Sequence, residues 1–250
     1  MPRCMRVCFL AVVAICASTV LASAQVTSSP TDSDSTEPSS SPVAYVYVAN
    51  APTSSTGQIH GYSAASNGAL TAIPGSPFKD NVNYLAVNGA WLFGVANMDN
   101  DINSYSIASN GALALRDTYT VASSGGVIYI YLDHTGSTLY ADYYTTNNDY
   151  LSYSIDQSTG ELTFVNDLAG GPPNNNPVSF IGNNVYAYSS SCYHFTPEII
   201  GVQRASDGAL SYINNFNPPF PAEKSGGFYC PWLAAADPTN HLAIAMQPLN

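Results

Sequence analysis

The chain has 250 residues and a formal net charge of −11, from 17 acidic against 6 basic side chains. Only 9% of residues are charged, 46% are hydrophobic and 18 are tyrosine, which excludes a disordered chain and a coiled coil. A duplex-binding surface must neutralise several phosphates with clustered Lys and Arg, so the charge argues against nucleic acid and anionic membrane as partners.

Arg3 and Arg6 precede an apolar run over 7–21, and Ala22-Ser23-Ala24 supplies a small-x-small cleavage site. This is the pattern of a secretory signal peptide over 1–24, which predicts a secreted or periplasmic chain. The run is about fifteen residues against the roughly twenty that a membrane helix needs, so no membrane span is expected after cleavage. Cleavage would leave Lys79, Arg116, Arg204 and Lys224 as the basic residues, and Cys192 and Cys230 as the cysteines. An even pair in an oxidising compartment predicts a disulfide. Residues 25–42 hold seven Ser, three Thr and three Pro in a stretch without aromatic residues, which cannot repay its ordering entropy by burial. They read as a flexible linker to a domain over 43–250.

That domain is an internal repeat. SNGAL at 66–70 recurs as SNGAL at 109–113, STGEL at 158–162 and SDGAL at 206–210, with glycines 43, 49 and 48 residues apart. Upstream of each lies a short apolar segment opening at Ile59, Ile102, Leu151 and Ile199, preceded in turn by VYVAN at 46–50, FGVAN at 93–97, LYADY at 139–143 and VYAYS at 185–189. A fifth copy begins at His241. Turn signals at Asn88-Gly89, Asp133 to Gly136, Gly182-Asn183 and Asp237 to Asn240 sit between apolar strands, as tight hairpins require. Each unit therefore reads as four antiparallel strands, A to D. A period of 43–49 residues holding four strands predicts an all-β fold, a β-propeller.

Tyr47-Val48-Ala49-Asn50 and Gly94-Val95-Ala96-Asn97 resemble the YVTN-type blade signature. The run SNGALTAIPGSPF at 66–78 is similar to the secreted lactonase-like propellers, relatives of the bladed 6-phosphogluconolactonases. The resemblance covers residues from about 44 onward and implies a seven-bladed ring, of which about four and a half blades are predicted here, as in a partial sequence. It also implies lactone chemistry carried by His, Arg and Glu in the central channel. The matching segments at 126–130 and 177–181 contain none of these residues, so the activity does not carry over residue by residue.

Antiparallel strands place the B-to-C loops and D-to-A connections on one face, where propeller ligands usually bind, and the other turns on the opposite face. On the first face Asp99, Asp101 and Asn103 imitate the start of a calcium loop, but no glycine or distal Glu follows. They read as a turn and ligand-binding candidates, with no metal and no cofactor expected. His194 and Glu198, assigned to a long loop over 190–198, are the weak candidates for a general-base pair. Tyr144, Asp149 and Tyr150 flank a polar loop, and the two rings could stack on sugars or dock partners. The expected role is a scaffold for a small-molecule, glycan or envelope-protein ligand, with hydrolysis of an unphosphorylated sugar lactone as the alternative.

Overall fold

The computed structural model describes residues 41–50, 57–121, 125–144, 149–169, 176–193, 196–217, 228–236, 239 and 241–249. The leader at 1–24 and the linker up to residue 40 lie outside the described residues. Among the described residues everything regular is strand, and no helix is long and apolar enough to cross a membrane.

Blade one holds β1 (Ala44–Asn50), β2 (Gln58–Ala64), β3 (Leu70–Ala72) and β4 (Phe78–Lys79). Both β3 and β4 pair with β2, so the fourth strand of the repeat is broken in two. The break is a turn in which Ile73 N–H donates to Gly61 O at 3.1 Å and Gly61 N–H donates to Ser76 Oγ at 3.0 Å. Blade two is β5 (Tyr84–Val87), β6 (Trp91–Val95), β7 (Asp101–Ile107) and β8 (Leu113–Thr120). Blade three is β9 (Gly126–Leu132), β10 (Thr138–Tyr144), β11 (Asp149–Ile155) and β12 (Leu162–Leu168). Blade four is β13 (Ser179–Phe180), β14 (Tyr186–Tyr193), β15 (Thr196–Arg204) and β16 (Leu210–Phe216), and β17 (Phe228–Ala236) with β18 (Leu242–Leu249) forms a two-stranded fifth sheet. All pairings are antiparallel and, apart from that of β4 with β2, sequential, as the repeat predicts.

Burial gives the radial order. Strand B is wholly buried in β6 and buried except at its last residue in β10, whereas strand D is largely exposed in β8 and β16. Strand A is therefore innermost and strand D faces outward. A bulge recurs at one repeat position, after Ser104, Ser152 and Gly201, where strand C meets strand D. Such a bulge adds to the right-handed twist of each blade.

The cores lie between blades. Phe93, Val95 and Ile102 of blade two pack with Leu139, Ala141, Tyr143 and Tyr153 of blade three, and Tyr140 and Tyr150 pack with Phe180, Ile200 and Val202 of blade four. Strand-B side chains also reach the C-to-D turn of the next blade. Tyr47 OH donates to Gly111 O at 2.6 Å, Trp91 Nε1–H to Gln157 O at 3.1 Å and Tyr140 OH to Gly208 O at 2.9 Å. The glycine of each such turn has positive φ, and in three of the four turns the neighbouring blade also packs against it. Gly160 has φ +74°, and a Cβ there would lie 2.3 Å from Trp91 Cε3. Gly160→Ala is expected to destabilise by about 1–2 kcal/mol more than Gly68→Ala, because both carry the left-handed backbone penalty and only Gly160 adds a clash. Paired urea melts measure the difference, and equal losses would mean that the Trp91 contact is not tight.

Candidate functional site

A cleft of about 370 Å³ opens on the loop face between blades one and two, lined by Lys79, Asp80, Asn81, Val82, Ala96, Asp99, Asp101, Asn103, Leu115 and Thr118. Local structure brings these together. Pairing of Gln58 with Lys79 seats β4 on β2, and the connection 80–83 then turns into blade two. It passes so close to blade one that a Cβ at Gly57 would lie 2.4 Å from Asn81 Cα. On the far side the B-to-C loop of blade two is clamped onto β9. Met98 N–H donates to Val127 O and Val127 N–H to Asp99 O, both at 2.8 Å, with Met98 held at φ 63°.

The polar lining is fixed by its own hydrogen bonds. Asp99 Oδ1 accepts from the Asn100 and Asp101 amides at 2.7 and 3.4 Å, the turn expected from the sequence. Asp101 Oδ1 accepts from Thr120 Oγ1 at 2.6 Å, and Asp80 Oδ2 from Asn103 Nδ2 at 2.9 Å. Asn103 Oδ1 in turn accepts from Thr118 Oγ1 at 2.8 Å. Asn81 Oδ1 is buried with no hydrogen-bond partner among the described residues. Three carboxyl side chains and one lysine line the opening, together with apolar Val82, Ala96 and Leu115. Carboxylates and amide oxygens accept hydrogen bonds from hydroxyl groups and repel anions, so this lining suits a neutral polyol.

The structure thus joins Asp99 and Asp101 to a partner segment, Lys79-Asp80-Asn81, that sequence reasoning missed. Among the described residues no group of three or more His, Cys, Asp or Glu is placed to hold a metal ion. The blade-three candidates stand apart from this cleft. Tyr144 ends β10 with its side chain 48% exposed, as expected of a surface ring. Asp149 opens β11 opposite Tyr143, and burial, followed by the Asp149 charge, raises the pKa of Asp167 above the usual carboxylate range.

Tyr150 corrects the surface reading. Its ring is buried against blade four and its hydroxyl lies 2.9 Å from Asn176 O and 3.0 Å from Ser189 Oγ. Strand alternation points it to the same face as Tyr140 and Asp142, into the blade interface. Residues 190–198 are corrected too. Instead of a long loop, β14 runs to Tyr193 and β15 starts at Thr196, with Glu198 paired opposite Ser191 inside the ladder. Glu198 Oε1 accepts from Asn215 Nδ2 at 3.1 Å, so it is tied to the outer strand. His194 lies outside the described residues. Cys192 is on β14 and Cys230 is on β17. No disulfide is found among the described residues, and the side chains of both cysteines lie outside them.

The inner strands β5, β9 and β13 carry no His, Arg or Glu. Arg204 is at the opposite face, where Nη2 pairs with buried Asp133 at 2.8 Å.

The geometry defines a β-propeller with an acidic cleft on its loop face. More particularly, its fold is similar to those of several solved β-propellers, a gluconolactonase among them. A periplasmic gluconolactonase from Pseudomonas aeruginosa superposes with a TM-score of 0.62 at 16% identity, over 82% of this chain and 62% of that one. A candidate 6-phosphogluconolactonase from Bacteroides fragilis gives 0.51 at 20% identity, over 64% of this chain and 49% of that one. The Cps50 (Swd1) β-propeller domain of Myceliophteria thermophila gives 0.53 at 13% identity, over 82% and 67%. The chain therefore spans 62% and 49% of the two lactonase-like structures. Likeness at such identities establishes the fold, and the fold hosts unrelated functions. No protein-family profile matches the chain, and no curated protein does either.

Proposed function

We propose that the chain is an exported, lactonase-like propeller that binds a neutral, polyhydroxylated small molecule or glycan in the cleft between blades one and two. The observation that carries the reading is the cleft lining: Asp80, Asp99 and Asp101 with Lys79, beside an apolar wall. Sugar hydroxyls would donate to the carboxylates while a ring face packs on Leu115. A phosphorylated sugar would meet a repulsive field. Export is supported by the leader pattern at 1–24 and by the likeness to a periplasmic gluconolactonase.

The second reading, hydrolysis of an unphosphorylated sugar lactone, is favoured by that same likeness. It needs a general base within reach of a bound water. One experiment separates the two: calorimetric binding and hydrolysis are followed together for an unphosphorylated aldonolactone and for 6-phosphogluconolactone. The neutral lactone is expected to bind without hydrolysis above its spontaneous rate, and the phosphorylated one roughly tenfold more weakly or not at all. Asp99→Ala and Asp101→Ala should each weaken neutral-ligand binding. Turnover of the neutral lactone that is lost in His194→Ala or Glu198→Ala would replace the scaffold reading with the hydrolase. Turnover of the phosphorylated lactone would overturn both.

A further inference from the structure

Three side chains of the cleft between blades one and two form a hydrogen-bonded relay, and they come from three separate segments. Asp80 lies on the connection into blade two, Asn103 on β7, and Thr118 on β8 as the register partner of Asn103. Thr118 Oγ1 donates to Asn103 Oδ1 at 2.8 Å, and Asn103 Nδ2 donates to Asp80 Oδ2 at 2.9 Å. All three line the cleft. The relay has one direction. An ionised carboxylate accepts and does not donate, so the Asn103 amide turns its NH2 group to Asp80. Its carbonyl then faces Thr118, and the hydroxyl proton of Thr118 is used there instead of being offered to a ligand.

The other two carboxyl groups are fixed in the same sense. Asp99 Oδ1 accepts from the Asn100 and Asp101 amides, and Asp101 Oδ1 accepts from Thr120 Oγ1. In each of the three groups the protein's donors thus converge on one oxygen, and the second oxygen takes no hydrogen bond from the described residues. Among the described residues Lys79 is ion-paired with none of them. The wall therefore presents oriented, charged acceptors whose donors must come from solvent or from a ligand.

We propose that the Thr118–Asn103–Asp80 relay determines the specificity of this cleft: it holds the wall in an accepting state, so that the occupant is recognised through hydroxyl groups that donate. This rests on the reading of the cleft as a polyol site and adds which property of the polyol is read. Asp80 meets the ligand, whereas Asn103 and Thr118 are positioning residues that act through it. A hydroxyl that donates to an oriented carboxylate forms a stronger bond than one shared between neutral groups. Fluorine in its place is close in size and cannot donate, so the carboxylate is left facing it without a partner.

Calorimetry tests this with an unphosphorylated aldonolactone and the set of analogues in which each hydroxyl in turn is replaced by fluorine. At least one analogue is expected to bind roughly tenfold more weakly than the lactone, or worse. Thr118→Val keeps the shape of the side chain and removes the first donor of the relay, so it should shrink that discrimination. Thr118→Ser returns the hydroxyl and should recover it, which a role in packing alone would not produce. A readout without ligand stands beside these: the Asn103 side-chain amide, followed by heteronuclear NMR, should shift in Asp80→Ala and in Thr118→Val, with circular dichroism checking that both remain folded. An amide signal indifferent to both substitutions, analogues that all bind as the lactone does, or discrimination unchanged in Thr118→Val would overturn the proposal and leave the polyol reading standing. Failure of the lactone itself to bind would overturn that reading and this specificity with it.

Discussion

Asp142→Val is expected to stabilise the chain by about 2–4 kcal/mol at neutral pH, although it removes a charged residue from the centre of a blade. Asp142 is fully buried on β10, and neither carboxyl oxygen has a hydrogen-bond partner among the described residues. Tyr129 and Tyr131 on β9 and Tyr150 on β11 face it, and Ser152 Oγ is likewise unpartnered among the described residues. Burial pushes the Asp142 carboxyl well above the usual carboxylate range. The folded chain therefore keeps the proton while the unfolded chain loses it near pH 4, its ordinary value of about 3.9. Between those two values the unfolded state binds fewer protons than the folded one, so stability falls as pH rises from about 4 and is level below it. The repeat supplies the replacement: blade two has Val95 at this position, with no exposure. Urea melts at acid and neutral pH should show Asp142→Val losing this component of the slope and Asp142→Asn losing it with a smaller gain. A Val variant less stable than the parent would show that the carboxylate is paired in solution.

The blade count, the hairpins and the sequential pairing were legible because they depend on local chemistry. Glycines at 68, 111, 160 and 208 all have positive φ, and a turn residue of that kind announces itself by type and spacing. What needs two distant segments was hidden. The cleft depends on Lys79-Asp80-Asn81 meeting Asp99 and Asp101 across a blade boundary, and nothing at either segment names the other. Tyr150 looks like a surface ring because a polar loop precedes it, yet one residue of strand alternation turns it into the interface with blade four. Glu198 misled in the opposite way. The serines at 190 and 191 read as loop, but they are small enough to pack fully buried, so β14 continues past them and draws Glu198 into the ladder.

The same distinction between local and distant pairing makes Arg204 the most sensitive charged side chain. It ends β15, yet Nη2 reaches Asp133 in the A-to-B turn of blade three at 2.8 Å and Thr138 Oγ1 at 2.9 Å, while Nε donates to Tyr140 OH at 3.1 Å. Asp133 is buried and is further held by Asn184 Nδ2 at 2.9 Å and Thr135 Oγ1 at 2.8 Å. Burial alone would raise its pKa; the hydrogen bonds from Thr135, Asn184 and the Thr138 amide, with the Arg204 charge, outweigh burial and hold it below the usual carboxylate range. Arg204→Ala leaves that carboxylate buried without its cation and is expected to cost about 3–5 kcal/mol. Arg204→Lys should recover only part, since a single ammonium cannot span Asp133, Thr138 and Tyr140 as the guanidinium does. The pH dependence has the opposite sign to that of Asp142. A depressed folded pKa contributes stability that is present above the unfolded value of about 3.9 and is lost as pH falls through the folded value. Denaturant melts from neutral pH down into the acid range should therefore show the gap between the parent and Arg204→Ala narrowing as Asp133 takes up its proton. A gap that stays constant to the lowest pH, or a loss at neutral pH no larger than that of an exposed ion pair, would mean that Arg204 acts through packing alone.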